Sequence, residues 1–344
     1  MGTLGIVGLG LIGGSLGLAI KRAEPVDTTI IGYDRKPDVA NRALQAKAVD
    51  RLVPEIEDLA KEATLIIVAT PIISMRKVFE TMAPYLRPNV VVTDTASTKS
   101  EVLRWARDLL PRNVHFVGGH PMAGKEKSGP QAAEASLFEG RTYCIVPGMD
   151  AGPGAVQKVL DIVAAVGAVS HFMDADEHDS YAAAISHVPL VASLALFNLA
   201  HDTQAWPELA AMTGPGFRDL TRLASGQPEM AHDIFLTNQA NIIHWLDRYI
   251  GELMRLAEAI AGDDGEGLFR KLVEIQMERD SFLENPPKRD RPEVSSEVDI
   301  PGAGETFMHM MAGNLWRQRA NEIMKTMEDR QAARKLEERM RRRE

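Results

Sequence analysis

Short runs of consecutive apolar residues alternate with helix-type patterns over roughly the first half of the chain. The runs are rich in Val and Ile and show no polar alternation, which is typical of strands covered by helices on both faces. Alternating strands and helices predict a doubly wound parallel sheet. The predicted strands span residues 3–8, 29–34, 65–70, 90–95, 115–120 and 142–147.

From Asp174 to about Glu284 the pattern changes to helices without a convincing strand. Residues 178–200 form a run that is apolar around most of the helix circumference, and such a helix is buried on most sides. In a domain this small, that indicates packing against a second subunit. The expected fold class is therefore an α/β Rossmann-type doubly wound sheet followed by an all-α dimerisation domain. The expected domains are residues 1–173 and 174–284.

Residues 285–344 differ from both domains. A proline-rich polar segment predicts a linker, and the charged segment after it predicts an exposed helix, although its arginines could instead attract an acidic partner. At the other end of the chain, the first 20 residues are apolar but lack a basic start and carry many glycines. They predict a buried strand entering a helix, rather than a signal peptide or a membrane span.

Charge and cysteine content narrow the function classes. The 344 residues carry a formal net charge of -9 with a pI of about 5.6, which argues against a nucleic-acid partner for the whole protein. Cys144 is the only cysteine, so an internal disulfide is impossible and no Cys/His cluster suggests a metal site. Cys144 lies in a predicted strand and is expected to be a small buried hydrophobic residue. These features predict a cytoplasmic protein without metal.

A glycine motif directly follows the first predicted strand and precedes a helix. Gly8 permits a tight turn, Gly10 lets the backbone approach a pyrophosphate, and Gly13 lets helix and strand pack closely. The helix N-terminus then faces the phosphates with its free N–H groups. The sequence therefore predicts a dinucleotide site. Its expected cofactor-binding residues in this loop are Gly8, Leu9, Gly10, Leu11, Ile12 and Gly13.

The choice of dinucleotide depends on the end of the second predicted strand. Asp34 can accept hydrogen bonds from both ribose hydroxyls and repel a 2′-phosphate, which favours NAD. Arg35 and Lys36 could reach a 2′-phosphate if Asp34 turned away, so NADP stays the alternative. Thr70 and Pro71 end another strand, where they are placed to line the cofactor crevice, or simply to terminate the strand.

His120 is the candidate catalytic base, because it ends a predicted strand on the side of the sheet that binds ligands. A neutral imidazole can accept a hydroxyl proton as hydride leaves to a nicotinamide. His115 begins the same strand and is expected to be structural. Ser97 follows the neighbouring strand and could hydrogen-bond the base or the substrate; alternatively, Ser97 or Thr98 caps the next helix. Packing or surface roles are expected for His178, His201, His232 and His244.

Arg218 and Arg222 stand four residues apart, which places them on one face of a helix. Arginine binds carboxylates through paired hydrogen bonds, so the substrate is expected to carry carboxylates. The alternative is ordinary ion pairing with the neighbouring Asp219.

Five motifs come in a fixed order, namely GLGLIGGSLG, DTASTK, GGHPMAGKEKSG, HDSYAAAISHVP and GFRDLTRLA. Together, over roughly residues 3–284, they resemble the prephenate/arogenate (cyclohexadienyl) dehydrogenases of tyrosine biosynthesis. The resemblance implies a Rossmann domain, a helical domain that dimerises, and oxidative decarboxylation of a cyclohexadienyl dicarboxylate with NAD. It implies that His120 pairs with the ring hydroxyl and Ser97 orients it. It also implies a substrate site formed by Arg222, Arg218, Ser186, Glu126 and Asp219.

Two departures from the family pattern leave the substrate open. Leu190 stands where many prephenate enzymes have a pocket histidine, and Ala231 stands where many have tryptophan. The pocket is expected to be roomier and less polar there, so arogenate stays an alternative substrate. A hydroxyacid dehydrogenase is a more distant alternative, but the first long helix of the second domain lacks the lysine base usual in that group. A non-catalytic NAD-binding sensor would not need His120, Ser97 and Arg222 together.

Overall fold

A computed structural model describes residues 2–23, 28–125 and 129–287. The predicted substrate residue Glu126 and the tail beyond residue 287 lie outside this part. An eight-stranded sheet with the order β3-β2-β1-β4-β5-β6-β7-β8 forms the first half. The strands are β1 (Thr3–Val7), β2 (Thr29–Tyr33), β3 (Arg51–Leu52), β4 (Leu65–Val68), β5 (Val91–Asp94), β6 (His115–Pro121), β7 (Thr142–Pro147) and β8 (Val169–Phe172).

The Rossmann-type sheet is confirmed, with one correction to the expected parallel pairing. Strands β1 to β6 are parallel, but β7 pairs antiparallel with β6, and β8 pairs parallel with β7. A parallel pair needs a crossover, usually a helix. In its described residues, the β6–β7 connection contains only a 3₁₀ turn, Pro130–Ala132. Strands β3 and β8 were not predicted, because β3 has two residues and β8 includes Ser170 and His171.

Helices cover both faces of the sheet and bury two separate apolar cores. One core lies beneath the helices that follow β3, β4 and β5, and it includes Phe79, Trp105 and Phe116. The other lies beneath the remaining helices and includes Leu16, Phe138 and Val159. The helices are α1 (Leu11–Arg22), α2 (Pro37–Gln45), α3 (Ile56–Glu62), α4 (Ile72–Met82), α5 (Ser100–Leu109) and α6 (Pro153–Ala165).

Only helices follow the sheet, up to residue 287. The segment from Ala175 to His201 contains a π-helical turn, Ala183–His187. The helices are α7 (Ala175–Ala182), α8 (Val188–His201), α9 (Trp206–Ala211), α10 (Pro215–Thr221), α11 (Pro228–Thr237), α12 (Gln239–Ala261) and α13 (Gly265–Glu284). A 3₁₀ turn, Arg222–Ser225, follows α10.

The segment from Ala175 to His201 is long and apolar enough, by length and composition, to cross a membrane. Helices of this kind also occur in the interiors of water-soluble proteins. Its first part packs against the sheet domain, since Asp179 accepts hydrogen bonds from the backbone of Lys99 and Ser100. One chain alone does not bury this run on most sides, because Ile185 is 69% and Leu199 73% exposed, and the expected packing against a second subunit stays a prediction. This segment therefore has apolar side chains on the exposed surface of the subunit.

Candidate active site

The glycine-rich loop between β1 and α1 has the backbone geometry of a phosphate-binding turn. Gly8 has φ of +91°, which favours glycine, and a Cβ at Gly13 would lie 1.9 Å from the carbonyl oxygen of Gly8. A Cβ at Gly10, by contrast, would meet nothing within 4 Å. Gly10 is the N-cap residue of α1, and no side chain caps that helix. The loop thus leaves open space beside an uncapped helix N-terminus, where a pyrophosphate fits.

Asp34 lies against this loop directly after β2. Its carboxylate accepts hydrogen bonds from the backbone N–H of Leu9, at 2.8 Å, and of Lys36, at 2.9 Å. The carboxylate is thereby fixed beside the glycine turn, and its remaining lone pairs can accept bonds from ribose hydroxyls. Arg35 and Lys36 are exposed next to it.

The direction of strand order changes between β1 and β4, and Gly8 and Thr70 meet there. The Cγ2 atom of Thr70 lies 3.1 Å from the position of a Cβ at Gly8. Pro71 comes next, exposed, at the start of α4. In open α/β sheets, ligands bind in the crevice at such a switch point, outside the carboxyl ends of the strands. These residues therefore fit a bound NAD.

His120 lies near the carboxyl end of β6 and is 8% exposed. The preceding residue, Gly119, donates its N–H to Asp94 at 3.0 Å and accepts from the Lys99 ammonium at 2.7 Å. Burial lowers the pKa of His120 well below 6.5, and His178, Lys99 and His187 act in the same direction. The imidazole is therefore neutral near pH 7, as a proton acceptor must be.

Sequence reasoning missed the contact between His120 and His178. His178 is 2% exposed, and its Nε2 lies 2.9 Å from Nδ1 of His120. Its own Nδ1 lies 2.8 Å from Oδ1 of Asp179. Of the packing or surface role expected for His178, burial excludes the surface role, and the contact with His120 was not expected. The His-Asp pair in the first turns of α7 was a usable signal.

The N-terminus of α5 excludes the interpretation that Ser97 or Thr98 caps this helix, and the role of Ser97 toward the base or substrate stays a prediction. The carboxylate of Asp179 accepts from the N–H groups of Lys99 and Ser100, so it caps this helix in place of either side chain. Thr98 instead hydrogen-bonds Thr237 at 2.9 Å. Ser97 is half-buried in the loop after β5, beside the strand that carries His120.

His187 is the third buried histidine of the described residues, and the sequence did not single it out. It closes the π-helical turn, and the side-chain amide of Asn238 lies 3.1 Å from its Nδ1. Its Nε2 is buried without a hydrogen-bond partner. Burial lowers the pKa of His187 to about 4, against the opposing charge of Asp179. π-Helical turns occur frequently at functional sites.

The expected substrate residues lie on the helical region. Ser186 is exposed within the π-helical turn, and Leu190 is buried at the start of α8. Arg218 and Asp219 are exposed on α10, but Arg222 begins the following 3₁₀ turn, so the two arginines do not share one regular α-helix as expected. Their contacts with a substrate stay predictions.

The other histidines that the sequence singled out take no part in this cluster, whereas Cys144 is the β7 residue opposite His120. His115 lies at the opposite end of β6, and its Nδ1 is 3.1 Å from the carbonyl oxygen of Asp150. Cys144 is buried, as expected. Among the described residues, no group of His, Cys, Asp and Glu forms a metal site. His201, His232 and His244 are not buried.

Two family models and several known proteins match this chain. Residues 16–172 match the model of the prephenate dehydrogenase nucleotide-binding domain, and residues 174–274 match that of the prephenate dehydrogenase dimerization domain. Prephenate dehydrogenase of Bacillus subtilis (strain 168) is 34% identical over 302 residues, which are 87% of this chain and 80% of that protein.

Two solved structures are also similar to the chain. Prephenate dehydrogenase from A. aeolicus, in complex with hydroxyphenyl propionate and NAD+, has a TM-score of 0.76 and 29% identity, covering 82% of this chain and 98% of that one. Synechocystis arogenate dehydrogenase has a TM-score of 0.70 and 29% identity, covering 81% and 99%. By sequence, domain content and fold, this chain belongs to the prephenate dehydrogenase family of oxidoreductases.

Proposed function

We propose that this chain catalyses the oxidative decarboxylation of prephenate to 4-hydroxyphenylpyruvate, with hydride transfer to NAD. The observation that carries the proposal is His120, a buried neutral imidazole near the carboxyl end of β6, in the same sheet as a glycine turn that fits NAD. Similarity to prephenate dehydrogenase of Bacillus subtilis supports it.

Bound NAD supplies the acceptor for the hydride that leaves the ring carbon bearing the hydroxyl. His120 accepts the hydroxyl proton through Nε2, and Ser97 orients the same hydroxyl. The bond between the ring and its carboxylate then breaks, carbon dioxide departs, and the electron pair makes the ring aromatic. His120 returns the proton to the phenolate oxygen, so it is neutral again at the end of the cycle.

Arg222 holds a substrate carboxylate, and Arg218 adds positive charge beside it. Ser186, Asp219 and Glu126 complete the substrate site and its entrance. For cofactor binding, we assign Gly8 to Gly13, Asp34, Arg35, Thr70 and Pro71. Asp34 favours NAD over NADP because its negative charge, held beside the glycine turn, opposes a 2′-phosphate.

We further propose a cytoplasmic homodimer and place the domain boundary after residue 173. The match to a dimerization domain over residues 174–274 supports the dimer, as do exposed apolar side chains on the helices. These side chains are Ile185, Leu199, Leu253, Met254, Ile260, Phe269 and Met277. A subunit interface would bury this apolar surface.

Arogenate is the second candidate substrate. Leu190, buried at the start of α8, replaces a histidine expected in many prephenate enzymes, and the Synechocystis arogenate dehydrogenase has the same fold. Prephenate has a keto group where arogenate has an ammonium, and an apolar residue does not select between them.

One assay separates these functions. The purified protein is offered prephenate or arogenate, each with NAD or NADP, and the absorbance of the reduced cofactor is followed. We expect turnover with prephenate and NAD, and its loss in His120→Gln. His115→Gln, at the far end of the same strand, is the matched control that keeps activity. No turnover with any pair would refute the proposed function.

A further inference from the structure

His120, His178 and Asp179 form a continuous, buried chain of hydrogen bonds. The two rings meet edge to face, with Nδ1 of His120 2.9 Å from Nε2 of His178. Nδ1 of His178 lies 2.8 Å from Oδ1 of Asp179. Asp179 is 1% exposed, so water does not compete for its bond to His178.

The charge of Asp179 determines which atom donates and which accepts in each hydrogen bond of this series. Burial raises its pKa, but hydrogen bonds from His178 and from the N–H groups of Ser100 and Lys99 outweigh burial and lower the pKa overall. An ionised carboxylate only accepts hydrogen bonds, so Nδ1 of His178 must donate. In a neutral His178 the other nitrogen, Nε2, then carries no proton and must accept. Nδ1 of His120 therefore has to be the donor.

We infer that His178 and Asp179 are positioning residues that hold the proton of neutral His120 on Nδ1 and so keep its Nε2 free to accept the substrate proton. The inference rests on the proposed role of His120 as the base. His178 and Asp179 act through His120, because their side chains hydrogen-bond each other, the His120 ring and the backbone at the start of α5. Without it, either tautomer of His120 would be available, and only one can act as a base.

The same chain stabilises the charge that develops during the reaction. When Nε2 of His120 takes a proton, the ring becomes positive beside His178. The anionic carboxylate of Asp179 lies on the other side of the His178 ring, and it stabilises this positive charge through the two hydrogen bonds. The backbone N–H groups of Lys99 and Ser100 hold Asp179 in position throughout.

Other ionisable groups face this chain from each neighbouring element. Lys99 follows β5 and is paired with Asp94. His187 comes from the π-helical turn, and Cys144 is the β7 residue paired with His120. Asp179 is the ion-pair partner of His178. Among the contacts of the described residues, none of these other groups places a second carboxylate against His178.

Replacing Asp179 by asparagine tests the inference. With its NH₂ group in the place of Oδ1, the introduced amide faces Nδ1 of His178 as a donor and no longer accepts from the N–H of Lys99, while its oxygen still accepts from the N–H of Ser100. That contact reverses the chain and places the proton of His120 on Nε2. In Asp179→Asn we expect kcat to fall by ~100-fold or more, with a shifted pH profile and little change in KM or in NAD affinity.

Asp176→Asn is the matched control. It removes the same charge one turn earlier in α7, where exposed Asp176 accepts a hydrogen bond from the Ser100 hydroxyl at 3.2 Å. We expect it to keep the wild-type kcat and pH profile. Equal kcat and pH profiles in wild type, Asp176→Asn and Asp179→Asn would overturn the inference.

Nuclear magnetic resonance of full-length protein with isotope-labelled histidine reads the tautomer without turnover. Long-range proton–nitrogen spectra show which ring nitrogen carries the proton, and His120→Gln assigns the signals. We expect the proton of His120 on Nδ1, and its transfer to Nε2 in Asp179→Asn. A wild-type His120 protonated on Nε2 would overturn the inference even if Asp179→Asn fails to fold. This result is independent of whether prephenate is the substrate.

Discussion

Asp94 and Lys99 form an ion pair with both side chains fully buried, and together they hold both backbone polar groups of Gly119, the residue before His120. The pair therefore ties the end of β5 to β6 at the point where the candidate base emerges. The positive charge of Lys99 also lies near His120. It lowers the pKa of that imidazole, in addition to the larger effects of burial and of His178.

Lys99→Met leaves the carboxylate of Asp94 buried without its counter-ion. Breaking a buried pair in this way costs about 3–5 kcal/mol of unfolding free energy. Chemical denaturation of the purified variant measures the loss. Lys21→Met is the control, because Lys21 pairs with Asp50 at the surface and a surface pair contributes about 0–1 kcal/mol. Equal losses in the two variants would show that the buried pair does not stabilise the fold.

Much of the sheet could be predicted because the sequence carries local signals for it. Consecutive Val and Ile residues marked six of the eight strands, and the glycine motif marked the turn after β1. Strand β3, only Arg51–Leu52, is too short to show a period. The antiparallel β7 could not be predicted, since strand direction depends on the path of the connection, whose described residues contain no crossover helix.

The candidate site was predictable only where one residue carried the signal. His120 stood out between glycines and a proline, but its partner His178 lies 58 residues later in the chain. Asp179 caps α5 from about 80 residues away, so local reasoning offered only Ser97 and Thr98 as caps. Contacts of this kind depend on how the helical region packs on the sheet, which no short pattern records.

His187 makes stability depend on pH. Its pKa is about 4 in the folded protein and about 6.5 when unfolded, so between these values the unfolded chain binds more protons. The free energy of unfolding therefore falls as pH drops from about 6.5 to 4, and this contribution is fully present above that range. His187→Leu should flatten the fall, so the difference between unfolding free energies at pH 7 and pH 5 becomes smaller than in wild type.

Denaturation at a series of pH values measures this difference. His244→Leu, which removes an exposed histidine from α12, is the matched control. A wild-type pH slope in His187→Leu would contradict the assignment. His120, whose pKa is also lowered, should keep part of the slope in this variant.

Gly10→Ala and Gly13→Ala should separate cofactor binding from folding. A Cβ at Gly13 would collide with the Gly8 carbonyl at 1.9 Å, so this variant should lose ~1–3 kcal/mol of stability together with NAD binding. A Cβ at Gly10 meets no protein atom within 4 Å, so that variant should fold normally. It should still bind NAD about tenfold more weakly, because the methyl group enters the pyrophosphate space.

Thermal unfolding and fluorescence titration with NAD measure the two effects. Gly154→Ala, near the start of α6 and also without atoms within 4 Å, is the control for a harmless added methyl group. Unchanged NAD affinity in Gly10→Ala would place the pyrophosphate elsewhere.

Asp34→Asn should shift cofactor choice toward NADP. The amide oxygen can still accept from the N–H of Leu9, so the glycine turn keeps its support, while the charge that repels a 2′-phosphate is lost. Arg35 and Lys36, exposed beside it, can then pair with that phosphate. The ratio of kcat/KM with NADP to kcat/KM with NAD should rise by about tenfold or more. Steady-state kinetics with each cofactor measure this ratio.

Asp38→Asn is the control for this prediction. It removes an equal charge from an exposed neighbouring position in the first turn of α2 and should leave the ratio unchanged. A similar ratio in both variants would mean that net charge, rather than the placement of Asp34 against the glycine turn, governs the choice.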